Sequence, residues 1–394
     1  MSVPLKKTEP LSVIMVSASF WPHVGGSERQ ALEQARYLVS KGVKVSVVTR
    51  RLGNTLGREL VQGVPVRRLK VFGRKGFLNS VSFMCGLFFY LLRHRAEYEI
   101  IHVHFASSPA LPAGLAARLL GKKFLVKIGG GRGVGEIAGS RNTLAGKLKL
   151  KLLARLKPLF LVVNSDLKDE LESAGISSAN AAVFPNGVDT EFFSPVSEKE
   201  KLELRARLKI NGGPVFLYTG RFSPEKRLPW FVDVWAGAAA SCPGNNAVLL
   251  LVGEGPDRLA IEQSVKAVSH HGHRIFMHGR QDDIRNFYRA ADVFVLPSVS
   301  EGLSNSMLEA MACANAVLVS RTGGAKDAVE NGKNGFLFEP ADKKALKDTL
   351  VRLICGQDLA RAAGAAARVR AENEYAMEKV GARLMKLYSD LPRG

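Results

Sequence analysis

Residues 293–311 read Val-Phe-Val-Leu-Pro-Ser-Val-Ser-Glu-Gly-Leu-Ser-Asn-Ser-Met-Leu-Glu-Ala-Met. Val293 to Leu296 form an apolar strand, and Pro297 ends it because proline has no N–H for a sheet ladder. Ser300-Glu301-Gly302 then makes a loop in which glycine lets backbone come close to a ligand. Ser304 or Asn305 caps a helix. Met307, Leu308 and Met311 give that helix an apolar face. Glu309 lies in its first turns, with its Cα–Cβ bond tilted towards the N-terminus. Glu301 and Glu309 therefore approach a helix start whose free N–H groups favour an anion. Carboxylates suit hydroxyls and N–H donors suit phosphates. A nucleotide sugar carries both.

The strand–loop–helix pattern recurs along the chain. Residues 11–18 read as a buried strand, followed by a glycine loop, His23 to Glu28, and an amphipathic helix carrying Ala31, Leu32, Ala35, Leu38 and Val39. Further strands are expected at Val43–Thr49, Pro65–Leu69, Ile100–His104, Phe124–Ile128, Phe160–Asn164 and Ala182–Phe184. A polar stretch from Ser194-Pro195 to Gly213 reads as a linker. A second series follows at Val215–Thr219, Val248–Val252, Ile275–His278, Val293–Leu296, Val317–Ser320 and Phe336–Phe338. This alternation predicts an α/β protein with two doubly wound, Rossmann-like parallel sheets. Domains are expected at 1–194 and 195–372, with a helical segment at 373–394 packing back on the first. Ligand loops gather at the C-terminal ends of such strands, and the cleft between two such sheets is the natural active site.

Composition narrows the function. Hydrophobic residues are 46% of the 394, too many for disorder. Cys85, Cys242, Cys313 and Cys355 are widely spaced, forming neither a metal pattern nor a disulfide framework, which fits a reducing compartment. No stretch reads as a signal peptide. The longest apolar run, Val81 to Leu92, is too short for a spanning helix. A cytoplasmic protein, soluble or peripheral on the inner face of the cytoplasmic membrane, is expected. The net charge of +20 is uneven: residues 1–195 hold 28 Lys and Arg against 13 Asp and Glu, hence +15. That half should meet something anionic. Residues 141–157 are basic and amphipathic, with Leu144, Leu148, Leu152 and Leu156 on one side and Lys147, Lys151 and Arg155 on another. That spacing suits either an interfacial helix on anionic lipid or an ordinary domain helix with a solvated charged face.

Several motifs count against other chemistries. His270-His-Gly-His273 has no Cys or carboxylate spaced to complete a metal site and reads as a solvated loop. Gln281-Asp-Asp283 is not the separated acidic pair of metal-dependent sugar transferases. No Gly-x-Gly-x-x-Gly follows the first strand, against a nicotinamide dehydrogenase. The basic residues are not interleaved with stacking aromatics, so nucleic acid is not an expected partner.

Gly220-Arg221 with Lys226, Gly253-x-Gly255, Gly279-Arg280, Glu301-Gly-x5-Leu-Glu309-Ala-Met and Thr322-Gly-Gly occur in that order. With Gly25-Gly26-Ser-Glu28, His102-Val-His104 and Pro185-Asn-Gly-Val-Asp189 in the first half, nearly the whole chain resembles the retaining glycosyltransferases of family 4, which have the GT-B fold. The resemblance implies a metal- and cofactor-free hexosyl transfer from a nucleoside diphosphate sugar, most often of uridine, to a glycan or lipid-linked acceptor in cell-surface polysaccharide synthesis. Arg221 and Lys226 would hold the diphosphate and stabilise its charge as the bond breaks. Glu301 would contact the transferred sugar. Backbone N–H groups of Gly302, Leu303 and Ser304, with Gly220, would line sugar and phosphate. Glu309 would bind the ribose, and Arg280 would border the base. Gly25 and Gly26 would approach the donor phosphate. One departure stands out: the family's usual histidine after the strand Leu125-Val-Lys-Ile is replaced here near Gly129, and His104 is the candidate to take over its sugar contact, against a purely structural role for a histidine that ends a buried strand. Two other readings compete. A nucleotide-sugar epimerase of the same fold would need acid and base carboxylates, for which the first half offers Glu28 and Glu136. A nucleic-acid-binding protein would use the basic half without enzymatic activity.

Overall fold

The computed structural model describes residues 11–22, 25–73, 76–131, 133, 135–210, 212–269 and 274–391. His23, Arg74, Lys75 and the His270–His273 motif lie outside them. The chain divides into two compact units, residues 1–187 with 377–394, and residues 188–376. The boundary read at 194/195 thus falls inside the second unit.

The first unit runs β1 (Ser12–Ser17), α1 (Gly26–Ser40), β2 (Lys44–Arg50), β3 (Arg58–Val61), β4 (Val64–Leu69), α2 (Phe77–Arg93) and β5 (Ile100–His104). It continues α3 (Ala110–Leu120), β6 (Lys123–Ile128), α4 (Glu136–Arg141), α5 (Leu144–Arg155), β7 (Leu159–Val162), α6 (Asp166–Ser173) and β8 (Ala181–Val183). Its eight strands are ordered β3-β4-β2-β1-β5-β6-β7-β8. All neighbours are parallel except β3 and β4. β3 is absent from the sequence reading because its Arg-Glu-Leu-Val is half polar, as an edge strand permits. One face packs Ala31, Leu32, Ala35 and Leu38 of α1 against Val13, Met15, Val45, Val47 and Leu125. A closing helix, Met377–Asp390, adds Val380, Leu384 and Tyr388 to that core.

The second unit carries α7 (Glu198–Arg207), β9 (Val215–Thr219), α8 (Leu228–Ala240), β10 (Val248–Val252), α9 (Arg258–Ser269), β11 (Arg274–His278), α10 (Arg285–Ala290) and β12 (Val293–Leu296). After them come α11 (Asn305–Ala312), β13 (Ala316–Ser320), α12 (Ala325–Ala328), β14 (Phe336–Phe338), α13 (Lys343–Cys355) and α14 (Gln357–Arg370), the closing helix of the first unit being α15. The six parallel strands are ordered β11-β10-β9-β12-β13-β14. β9, β10, β12 and β13 are buried throughout, as expected of a parallel sheet covered on both faces.

Two expectations are corrected here. The stretch read as a linker contains α7, opened by a reciprocal Ser197–Glu200 cap. It is docked because Asp292 accepts from Lys201 and Arg205, each at 2.6 Å. The cysteines are not all isolated. Cys242, just beyond α8, and Cys355, ending α13, form a disulfide with Cα atoms 6.5 Å apart. Packing of α8 on α13 joins residues 113 apart in sequence, which spacing alone does not reveal. A chain with this disulfide does not point by its cysteines to a reducing compartment.

β5 carries a polar layer into the first unit's core. His102 and His104 alternate onto one face, and His104 is in register with Lys127 of β6. His102 Nδ1 shares a 2.6 Å hydrogen bond with the Tyr388 hydroxyl. Burial, aided by the nearby Lys127 charge, pushes His102 down to about 3. Burial also lowers Lys127 to about 7. Both groups bind protons more readily in the unfolded chain, where the ordinary values are about 6.5 and 10.4. The folded form therefore loses stability as pH falls below about 6.5, and Lys127 already costs stability at neutral pH. We expect calorimetry to show a falling unfolding temperature on acidification through that range, and a higher one for Lys127→Met than for the native chain at neutral pH. A flat acid profile with an unchanged Met variant would contradict this account.

Candidate active site

The second unit brings its motif loops together through main-chain hydrogen bonds. Past β9, Tyr218 Oη donates to Arg221 O at 2.9 Å. Phe222 N donates to Glu254 O at 2.9 Å, joining the Gly220-Arg221 loop to the Gly253–Gly255 loop. Gly253 has φ +152°, and a Cβ there would sit 1.8 Å from Gly220 O, so only glycine permits this approach. Val299 N donates to Glu225 O at 2.9 Å, which ties the short turn Pro224–Lys226 to the loop after β12.

On that frame Lys226 forms an ion pair with Glu301, and Ser298 Oγ donates to the same Glu301 oxygen at 2.7 Å. The two side chains are 16% and 14% exposed, sheltered yet open to a ligand. Arg221 is exposed, and its charge acts on Glu225. Burial raises the Glu225 carboxyl, but the Ser223 hydroxyl and the Lys226 and Arg221 charges outweigh that and hold it below the usual carboxylate value. Glu225 therefore stays ionised among these cations.

Glu301-Gly302 is braced from behind. Gly324 N donates to Gly302 O at 2.5 Å. Gly323 has φ +47°, and a Cβ there would lie 1.9 Å from Glu301 O. Ser304 caps α11, its Oγ accepting from Met307 N at 3.3 Å. Of the two cap candidates, the structure uses Ser304. Met307, Leu308 and Met311 are buried, as their spacing predicts. Glu309 is only 4% exposed and accepts from Tyr288 Oη at 2.8 Å. Tyr288 in turn meets Thr219 Oγ1 at 2.6 Å, linking the carboxylate to the end of β9. Sequence reasoning missed Tyr288, which lies in α10 with no motif to mark it. Arg280 is exposed beyond β11, which lies two strands from β9.

In the first unit, Gly25 caps α1, and Gly26 opens it. Gly25 N donates to Glu28 Oε2 at 3.1 Å and Ser19 Oγ to Glu28 Oε1 at 2.5 Å. Gly129 N and Gly130 N donate to the Glu136 carboxylate at 3.2 and 2.9 Å. A Cβ on Gly130 would lie 2.3 Å from Glu136 Oε2, so a carboxylate fills the space at this part of the loop. Burial raises Glu136 above its ordinary value even against those N–H bonds. Glu28 and Glu136, the two carboxylates offered for the epimerase reading, are both engaged with backbone N–H groups. His104 is 2% exposed and stacked 4.3 Å from His102, and burial keeps it neutral. The ring is thus packed in the core of the first unit, beside His102 and in register with Lys127. Among the described residues, no group of three His, Cys, Asp or Glu side chains is disposed to hold a metal.

Two Rossmann-like sheets with these loops define a GT-B glycosyltransferase. Residues 24–192 match the model of Glycosyltransferase Family 4, and residues 213–355 that of Glycosyl transferases group 1. The chain belongs to this family. It is 26% identical to the N-acetyl-alpha-D-glucosaminyl L-malate synthase of Bacillus anthracis, over 96% of this chain and 98% of that protein. It is 29% identical to the Escherichia coli UDP-Gal:alpha-D-GlcNAc-diphosphoundecaprenol alpha-1,3-galactosyltransferase, over 67% of this chain and 68% of that one. Among solved structures, Anabaena Alr3699/HepE in complex with UDP has a similar fold, with a TM-score of 0.77 at 17% identity over 97% of this chain and 100% of that one.

The Gly323 contact generates a test. Gly323→Ala forces a Cβ into Glu301 O, and overpacking of this kind costs about 1–3 kcal/mol. Urea unfolding followed in the native chain and the variant should show a lower midpoint for Gly323→Ala. An unchanged midpoint would mean that the loop relaxes freely.

Proposed function

We propose that this enzyme transfers a hexosyl group, with retention and without a metal, from a nucleoside diphosphate sugar to a glycan or lipid-linked acceptor in cell-surface polysaccharide synthesis. The observation that carries the reading is the Lys226–Glu301–Ser298 cluster in the loop that leads into α11, with Arg221 exposed in the loop after β9. Lys226 offers a point charge to a diphosphate, and Arg221 offers a two-pronged donor. Gly302, Leu303 and Ser304, in the loop that leads into α11, would line sugar and phosphate together with Gly220. Glu301, positioned by Lys226 and Ser298, would accept from sugar hydroxyls. Glu309, oriented by Tyr288, would accept from the ribose, and Arg280 would border the base. Gly25 and Gly26 would contact the donor phosphate.

The chemistry follows from charge. Cleavage of the sugar–phosphate bond leaves negative charge on the departing diphosphate, and fixed cations stabilise that charge where it develops. Uridine diphosphate is the proposed donor nucleotide. Alr3699/HepE binds UDP and the Escherichia coli relative is named for UDP-Gal, which supports that choice.

Arg221→Ala and Lys226→Ala are each expected to lower turnover by on the order of a hundredfold or more, the scale for losing one charge donor in the transition state. Thermal stability should survive in the Arg221 variant, since that side chain is exposed. Near-native rates in both variants, measured as sugar transfer from UDP-sugars, would overturn the assignment. Transfer should also persist in EDTA. Complete loss restored by magnesium or manganese would show that a metal carries the diphosphate charge instead.

A further inference from the structure

The helical layer formed by α2, α3 and α5 is apolar on its outer side as well as its inner one. These helices follow β4, β5 and β6, and α3 packs on both α2 and α5. On α2 the core side is Phe83, Leu87 and Leu91. Its outer side shows Phe77 at 81%, Leu78 at 70% and Phe89 at 67% exposure. Positions 77, 81, 85 and 89 recur every fourth residue and make one stripe of Phe, Val, Cys and Phe, all of them exposed. On α5 the core side is Leu150 and Leu153, while Leu144, Leu148 and Leu152 face outward. The apolar row read from the sequence at 144–156 is therefore mostly the outer row. Leu115 and Leu119 of α3 are exposed between the two.

The charge on this layer has one sign. None of the three helices contains Asp or Glu, and together they hold Arg93, Arg118, Lys147, Lys149, Lys151 and Arg155. Lys149 turns inward and donates to Ala106 O at 3.2 Å. Lys147, Lys151 and Arg155 remain exposed.

Apolar area of this kind on a surface marks an interaction face, and its charge selects the occupant. A second copy of the same face would set cation against cation. A nucleic acid would neutralise the cations and leave Phe77, Leu78 and Phe89 in water. An anionic lipid leaflet satisfies both, with headgroups for the cations and acyl chains for the apolar rows. No helix among the described residues is long and apolar enough to cross a membrane, so α2 would lie along the surface.

We propose that the α2–α3–α5 face docks on an anionic lipid leaflet, with the exposed Phe and Leu rows entering the acyl boundary and Lys147, Lys151 and Arg155 meeting the headgroups. This goes beyond the transfer reaction. Its readout needs neither donor nor acceptor, so either reading can fail without the other.

The experiment is vesicle flotation of the full chain with phosphatidylcholine alone and with phosphatidylcholine mixed with phosphatidylglycerol, at low and high salt. Recovery should be high only with the anionic vesicles and should fall with salt. Changing Lys147, Lys151 and Arg155 together to Ser should weaken partitioning by on the order of a hundredfold, at about fivefold per charge. Changing Phe77, Leu78 and Phe89 together to Ser should weaken it by about tenfold or more, without altering the circular dichroism or melting temperature, because these residues lie outside the core. Equal recovery with both vesicle types, or variants that float like the native chain, would overturn the proposal. So would a native dimer in sedimentation that the Phe77, Leu78 and Phe89 changes dissolve, since a second copy would then cover the face.

Discussion

The Lys226–Glu301 ion pair depends on a chain of backbone contacts that tolerate no side chain. Gly253 lets the loops after β9 and β10 touch, Glu225 carries the first of them to Val299, and Gly323 lets the loop after β13 back against Glu301. Remove any of these and two side chains 75 residues apart lose their common frame. A partly sheltered ion pair on a mobile frame contributes little. Held rigidly, with Ser298 donating to the same oxygen, it fixes a cation at the loop where the proposed diphosphate would lie. The cost of ordering the site is met during folding rather than at each encounter with ligand.

The first unit uses carboxylates differently. Glu28, Glu136 and Glu170 accept from backbone N–H groups of glycine-rich turns, at Gly25, at Gly129 and Gly130, and at Gly133. Each gives a glycine loop the definition that its own residues lack, since glycine loses the most conformational freedom on ordering. Glycine at 130 makes room for Glu136, and the loop gains an internal anchor.

Much of the architecture was legible because buried parallel strands announce themselves. Val215–Thr219, Val248–Val252, Val293–Leu296 and Phe336–Phe338 form strands over the residues their apolar runs mark. The half-polar β3 was not legible because its side chains lack an apolar period, although it pairs with β4 across a two-residue turn; the capped α7 was not legible because Asp292, which docks it, lies 91 residues from Lys201. Lys226 and Glu301 were both identified from local motifs, yet nothing local indicated that they pair. Tyr288 and the Cys242–Cys355 disulfide escaped for the same reason.

By itself, then, the sequence determined the alternation of elements, the glycine loops at strand ends, the family and the sign of the surface charge. These follow from short-range chemistry: apolar periodicity, caps, turn residues and composition. Only the tertiary structure decided which way each face turns. Leu144, Leu148 and Leu152 are as apolar as Leu150 and Leu153, and a helical pattern cannot say which row meets the sheet. His104 could have faced a ligand or the core, and register with Lys127 beneath a packed helix layer put it in the core. Such choices rest on contacts between residues far apart in the chain, where burial of the whole unit rather than local preference sets the lower free energy.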